Sequence, residues 1–450
     1  MRPGNLGRGF EFLSSGGFGR AVSSHPIEVK AEEAIKIIKP GHRIFIDQAM
    51  GEPLTLADAL YDAREELRDV EIIGGPWVGE CKYIRKEVKG HFRLLTFMVR
   101  PNMKEAFQEG IVDYIPAKLS DVHQFFRSDG PLPLDVALIG VAPPDDQGNC
   151  SLGIAINYAL DAALQARWVI AEVNEQMPRT LGDCSLPLSR IHSLVPSSRP
   201  LLEYPLPKIR EKEKRIGENV ASLIPNGATL EIGMGGIPSA ILAALYYKTD
   251  LGIHSGMISD EIIPLVEKGV ITNLEKPVNR GKIVTAMLAG SDKLYRYAHE
   301  NPLFEFYPYR YTHDVQRIAK LPKFISINSA VEVDLSGQVN AETLHGTQIA
   351  AVGGQADWVR GAAISPGGIS IIALDSTAAR GTQSRIVHRL DPGSAVTTPR
   401  YDIDFVVTEH GIAGLRGKSL SQRAKSLMAI AHPDFRDRLA REYYEKRSFS

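Results

Sequence analysis

Thr229-Leu230-Glu231-Ile232, then Gly233-Met234-Gly235-Gly236-Ile237-Pro238, then an apolar run to about Leu245 is the stretch that decides the fold. It reads as a buried strand, a tight glycine turn and a helix, which is half of a βαβ unit. Glycines let a backbone turn sharply and come close to a ligand, and Pro238 suits the first turn of a helix whose free N–H groups attract an anion. A dinucleotide fingerprint would want a third glycine where Pro238 stands, so an NAD site is disfavoured. On spacing alone the turn fits a purely structural role as well as a ligand loop.

An earlier stretch echoes it. Residues 41–46 lead through Met50-Gly51-Glu52-Pro53 into a Leu/Ala-rich helix ending near Leu60. Further short β-branched or apolar runs at 136–141, 168–173, 324–327, 369–374 and 405–408 read as strands of parallel sheets buried on both faces. Prolines interrupt the chain near residue 200, and a charged run from Lys208 to Arg215 then starts a surface helix that ends before Pro225. The expectation is two similar open α/β domains with mostly parallel sheets, at 26–204 and 205–450, behind a flexible segment at 1–25. Ligands in such sheets bind at the loops following the carboxyl ends of the strands.

Composition fits this size and excludes several classes. The chain has 450 residues, 44% of them hydrophobic, and a formal charge of -1, so two cores are expected and nothing in the charge balance recruits nucleic acid. Cys81, Cys150 and Cys184 are too few and too scattered for a disulfide framework or a Cys-rich metal site, which fits a reducing cytoplasm. The glycine-rich start, with only a short apolar patch at 10–13, suits neither a signal peptide nor a membrane span. There is no His-Glu-x-x-His and no cysteine pair at ligand spacing, so no metal is expected, and the Gly-x-Ser-x-Gly elbow of serine hydrolases is absent as well.

With these residues in view, the segment Gly252-Ile253-His254-Ser255-Gly256-Met257 resembles the coenzyme A site of the acetyl-CoA hydrolase/transferase family, which includes the 4-hydroxybutyrate CoA-transferases. The likeness runs along nearly the whole chain. It includes Ile170-Ala171-Glu172-Val173-Asn174, Ser326-Ile327-Asn328-Ser329-Ala330-Val331-Glu332-Val333-Asp334, Gly353-Gly354-Gln355-Ala356-Asp357 and Thr397-Thr398-Pro399-Arg400. The resemblance implies a CoA-transferase of the EC 2.8.3 type, with an acyl-CoA and a small carboxylic acid as partners and a homodimer or homotetramer as the assembly. It assigns CoA contacts to Gly233, Met234, Gly235, Gly236, Ile237, Val331, Gly354 and Gln355, and suggests Arg360, Arg400 and Lys418 for the CoA phosphates. Each also has an ordinary reading as a turn, a buried hydrogen-bond partner or a structural ion pair.

The chain departs from the family at one decisive place. There the tetrapeptide reads His-Ser-Glu-Met or His-Thr-Glu-Met, and its glutamate attacks the thioester to carry CoA covalently; here that position is Gly256. Glu231, where the family commonly has glutamine, is one substitute, as a general base for water or else a salt-bridge partner on the other strand face. Glu52 and His254 are the others, while Asp260 and Glu261 read as caps of a following helix with Pro264 in its first turn. Three functions stay open: CoA transfer to an acid, hydrolysis of an acyl-CoA at its thioester or a carbon–carbon bond, and acyl-CoA binding without turnover. The aromatic cluster between Tyr295 and Tyr311 fits core packing better than an acyl pocket.

Overall fold

The computed structural model describes residues 26–445. The segment 1–25, read as flexible from sequence, lies outside them. The first half is built on one sheet of eight strands: β1 Ile27–Glu28, β2 Arg43–Ile46, β3 Val70–Gly74, β4 Phe92–Thr96, β5 Val112–Tyr114, β6 Val136–Val141, β7 Trp168–Asn174 and β8 Ser193–Ser197. They run in the order β1-β8-β7-β6-β2-β3-β4-β5, parallel throughout. Every residue of β6 is buried, as an unalternating apolar run requires of a central parallel strand.

The second half carries β9 Thr229–Ile232, β10 Gly252–Ile253, β11 Phe324–Asn328, β12 Ile369–Ala373, β13 Phe405–Thr408 and β14 Gly411–Gly414, in the order β10-β9-β11-β12-β13-β14. Only the last pair is antiparallel. The strands expected at 136–141, 168–173, 324–327, 369–374 and 405–408 all form, within a residue or so at their ends. The charged run opens α2, Glu211–Leu223, once α1, Leu54–Asp62, has followed β2. Residues Glu213, Ile216, Gly217, Val220 and Ala221 make the buried stripe of α2, the spacing of a helix lying on a sheet.

Strand order fixes where ligands go. From β2 the chain adds β3, β4 and β5 on one side, then β6, β7 and β8 on the other, so the turn 47–53 after β2 lies at a topological switch point. From β9 it adds β10 on one side and β11 to β14 on the other, which puts the turn 233–235 at the switch point of the second sheet. The halves are joined by more than the linker. Backbone bonds run from Ile156 N to Ala286 O at 2.9 Å and from Tyr309 N to Asn157 O at 2.7 Å, and one apolar cluster takes in residues from Phe45 to Val407.

Candidate active site

The turn after β9 divides its glycines between two jobs. A Cβ on Gly236 would stand 2.1 Å from the Glu213 Oε1 of α2, so the third glycine is demanded by packing. Gly233 and Gly235 are different, since a Cβ on either meets nothing within 4 Å, and Gly235 has φ +119°. Helix α3, Gly236–Ala243, starts here with no side chain capping it, leaving its first N–H groups and the positive end of its dipole beside that bare backbone. Pro238 occupies its first turn, as the sequence predicted.

Gly256 is buried just beyond β10. The space its side chain would take is occupied: a Cβ there would lie 2.9 Å from Cε1 and 3.1 Å from Nε2 of His313, and 3.5 Å from Cζ2 of Trp358. The His313 ring packs at a tilt against Trp358 at 4.2 Å and edge-to-face with Tyr309 at 4.6 Å, centroid to centroid, with Nδ1 2.9 Å from Thr312 Oγ1. Burial holds its pKa well below the usual histidine value, so the ring is neutral. Gly354 closes over the same imidazole, because a Cβ there would be 2.5 Å from His313 Nε2 and 2.3 Å from Trp358 Nε1. Neither His313 nor Trp358 stood out in the sequence, being 57 and 102 positions from Gly256 with no motif linking them.

The three substitutes separate clearly. Glu231 is buried at the carboxyl end of β9, and its Oε2 accepts from Ile327 N at 3.2 Å, Ser326 Oγ at 3.3 Å and Asn328 Nδ2 at 3.1 Å. These are neutral donors of β11, in place of the salt bridge that was the alternative reading. Desolvation outweighs them and raises its pKa to about 8. Glu52 is turned to its own half, accepting from Tyr83 Oη and, at 3.3 Å, from Gly79 N, with burial pushing it up to about 7. His254 donates Nε2–H to Thr312 O at 2.9 Å under the rings of Tyr311, Phe324 and Trp358; burial, with the Lys276 charge nearby, lowers it to about 3. That is a neutral structural histidine. Lys276 beneath it is buried too, held by Ile253 O at 2.8 Å and Lys282 O at 2.6 Å, and lowered by burial to about 7.

The capping expectation for Asp260 and Glu261 is corrected. The helix Ile262–Glu267 has no side-chain cap; Asp260 instead accepts from Ser291 N at 2.9 Å and Ser291 Oγ at 2.5 Å, and Glu261 binds Ser239 Oγ of α3. Both carboxylates tie distant segments to the site. Of the remaining assigned contacts, Met234 and Ile237 are partly buried against the core, and Val331 spends its N–H on Asn340 O at 2.8 Å. Gln355, the first residue of α4, Gln355–Ile364, points its amide inward to Thr398 Oγ1 at 2.9 Å. Arg360 pairs with Asp402 at 3.5 Å and Lys418 with Ser426 Oγ at 2.8 Å, while Arg400 is exposed. Among the described residues no group of three or more His, Cys, Asp or Glu is arranged to hold a metal, and no helix is long and apolar enough to cross a membrane.

Known proteins share this architecture. The acetyl-CoA hydrolase/transferase N-terminal domain matches residues 27–203 and the C-terminal domain of the same family residues 290–443. The 4-hydroxybutyrate coenzyme A transferase of Clostridium kluyveri is 45% identical over 93% of this chain and 97% of its own length. The succinyl-CoA:cyclohexane-1-carboxylate CoA transferase of Geobacter metallireducens is 37% identical over 90% and 92%. The crystal structure of 4-hydroxybutyrate CoA-transferase from Porphyromonas gingivalis superposes with a TM-score of 0.81 at 37% identity, covering 93% of this chain and 98% of that one.

Proposed function

The chain belongs to the acetyl-CoA hydrolase/transferase family, and on that premise we propose that it moves coenzyme A from an acyl-CoA to a free carboxylic acid. The observation that carries the reading is the open glycine face at Gly233 and Gly235, at the switch point of the second sheet and beside the uncapped start of α3. An anionic nucleotide thioester suits such a place, because backbone N–H groups and the helix dipole favour negative charge and no side chain stands in the way. Met234, Gly236 and Ile237 complete the CoA loop in this proposal, with Val331, Gly354 and Gln355 along its rim and the exposed Arg360, Arg400 and Lys418 as phosphate partners. Three free, buried thiols suit a reducing cytoplasm, and a homodimer or homotetramer is the proposed assembly.

Gly256 favours a second reading, hydrolysis, in which water takes the acyl group because the family's usual carboxylate is missing. One experiment separates the two. The protein is incubated with an acyl-CoA and an isotopically labelled acid, and the thioesters are resolved by mass spectrometry. Label entering the CoA ester supports transfer; free CoA with no labelled ester supports hydrolysis; unchanged substrate in the presence of measurable acyl-CoA binding refutes both.

A further inference from the structure

The position of Gly256 is closed, yet a carboxylate stands one strand away. Leu230 pairs with Ile253, and His254 N donates to Leu230 O at 3.0 Å, which sets Glu231 opposite His254. Past this point the ladder ends, and Ser255 Oγ takes its place, 3.0 Å from Ile232 O and 3.3 Å from Ile232 N. Partners in a parallel ladder point to the same face, so Glu231 and His254 share one, and Trp358 meets both the His254 ring and the Cβ direction of Gly256. Contacts bear this out. Glu231 bonds Ser326 and Asn328 of β11, His254 packs on Phe324 of the same strand, and both Phe324 and the Cβ direction of Gly256 meet Trp358 of α4. The Glu231 carboxylate leans toward β11, whose Ser326, Ile327 and Asn328 supply its three donors, while Gly256 follows the end of β10 on the other side of β9.

Resting on the transfer reading above, we propose that the covalent carrier of coenzyme A has moved across the sheet from position 256 to Glu231. All three donors to this carboxylate converge on Oε2, so Oε1 is the oxygen they leave to react. The carboxylate adds to the thioester carbonyl, the C–S bond breaks and CoA leaves as its thiolate, giving an acyl-glutamyl anhydride. The thiolate then adds to the glutamyl carbonyl, the bond to the bridging anhydride oxygen breaks, and the donor acid leaves as a carboxylate. Glu231 is now a CoA thioester, and an acceptor carboxylate reverses the two steps and restores it. Electron pairs balance at each step without a co-reactant. The imidazole of His313 has the complementary part, filling the space in which a side chain at 256 would have to work.

The test traps the intermediate in the intact protein. Wild-type enzyme is mixed with acyl-CoA, quenched with borohydride, which reduces a glutamyl thioester to an alcohol, and the reduced residue is located by peptide mass spectrometry. Reduction at Glu231, absent when acyl-CoA is omitted, supports the proposal. Labelled-acid exchange that proceeds while reduction falls on another residue, or on none, overturns it and leaves the transfer reading standing. Absence of exchange in wild type, with acyl-CoA bound by calorimetry, overturns the transfer reading and the carrier together. E231Q is expected to bind acyl-CoA within about threefold of wild type and to lose exchange by at least a hundredfold; exchange retained by a folded E231Q also overturns the proposal. G256E alone is expected to restore nothing to E231Q, because His313 blocks it, whereas the triple variant E231Q/G256E/H313A makes room and is expected to form the adduct at position 256.

Discussion

Glu231 gives the molecule opposed responses to pH. Its folded pKa of about 8 lies above its ordinary 4.5, so the folded state keeps a proton that the unfolded chain gives up. The stability this supplies is fully present below pH 4.5 and is lost as pH rises toward about 8, at no more than about 1.4 kcal/mol per pH unit. A carrier carboxylate must be ionised to attack, so turnover is expected to climb through the same window. E231Q should therefore show a melting temperature that depends less on pH over that range, measurable by calorimetry in matched buffers. His254 behaves otherwise, being neutral throughout and bonded to Thr312 O. H254F is expected to lose about 1–3 kcal/mol of stability by leaving that carbonyl unpaired, with an unchanged pH profile of turnover. A titrating role for this ring would instead move the profile.

At the scale of single elements, the turn 233–236 predicts a split between folding and binding. G236A drives a Cβ into the Glu213 carboxylate and is expected to cost about 1–3 kcal/mol, read as a lower denaturant midpoint. G233A meets nothing, and its melting curve should overlay wild type within about 0.5 kcal/mol while the KM for acyl-CoA rises severalfold. Equal KM for G233A and wild type would remove this backbone from the thioester site. The elements themselves were legible because their signals are local. Glycine turns, unbroken apolar runs and the charged start of α2 each announce themselves within ten residues. The roles of Asp260 and Glu261 were not, since a carboxylate before a helix has the same sequence whether it caps that helix or reaches Ser291 and Ser239. Likewise, the side-chain direction of Glu231 depends on its register with β11 and β10, almost a hundred positions away in one case, and His313 lies against Gly256 from a segment 57 positions further along the chain.

For the whole molecule, the shared apolar cluster makes the two halves one cooperative unit, and a single calorimetric transition is expected. Their seam includes Arg310, whose Nε lies 2.7 Å from Asp161 Oδ1. Asp161 is buried and burial raises its pKa to about 6 in spite of the arginine, so an unpaired carboxylate there is costly at neutral pH. R310M is expected to lower stability by about 2–4 kcal/mol at pH 8 and by less at pH 5, where the acid takes up a proton. Equal losses at both pH values would show that packing, and not charge, holds the seam.

The outermost strands of both sheets are short: Ile27–Glu28 and Val112–Tyr114 flank one, Gly252–Ile253 and the glycine-bounded Gly411–Gly414 flank the other. A neighbouring molecule seeking to extend either ladder finds at most four residues to zip against, too few to hold a foreign strand. Brevity at the margins thus leaves both large sheets little open backbone with which to recruit a foreign chain.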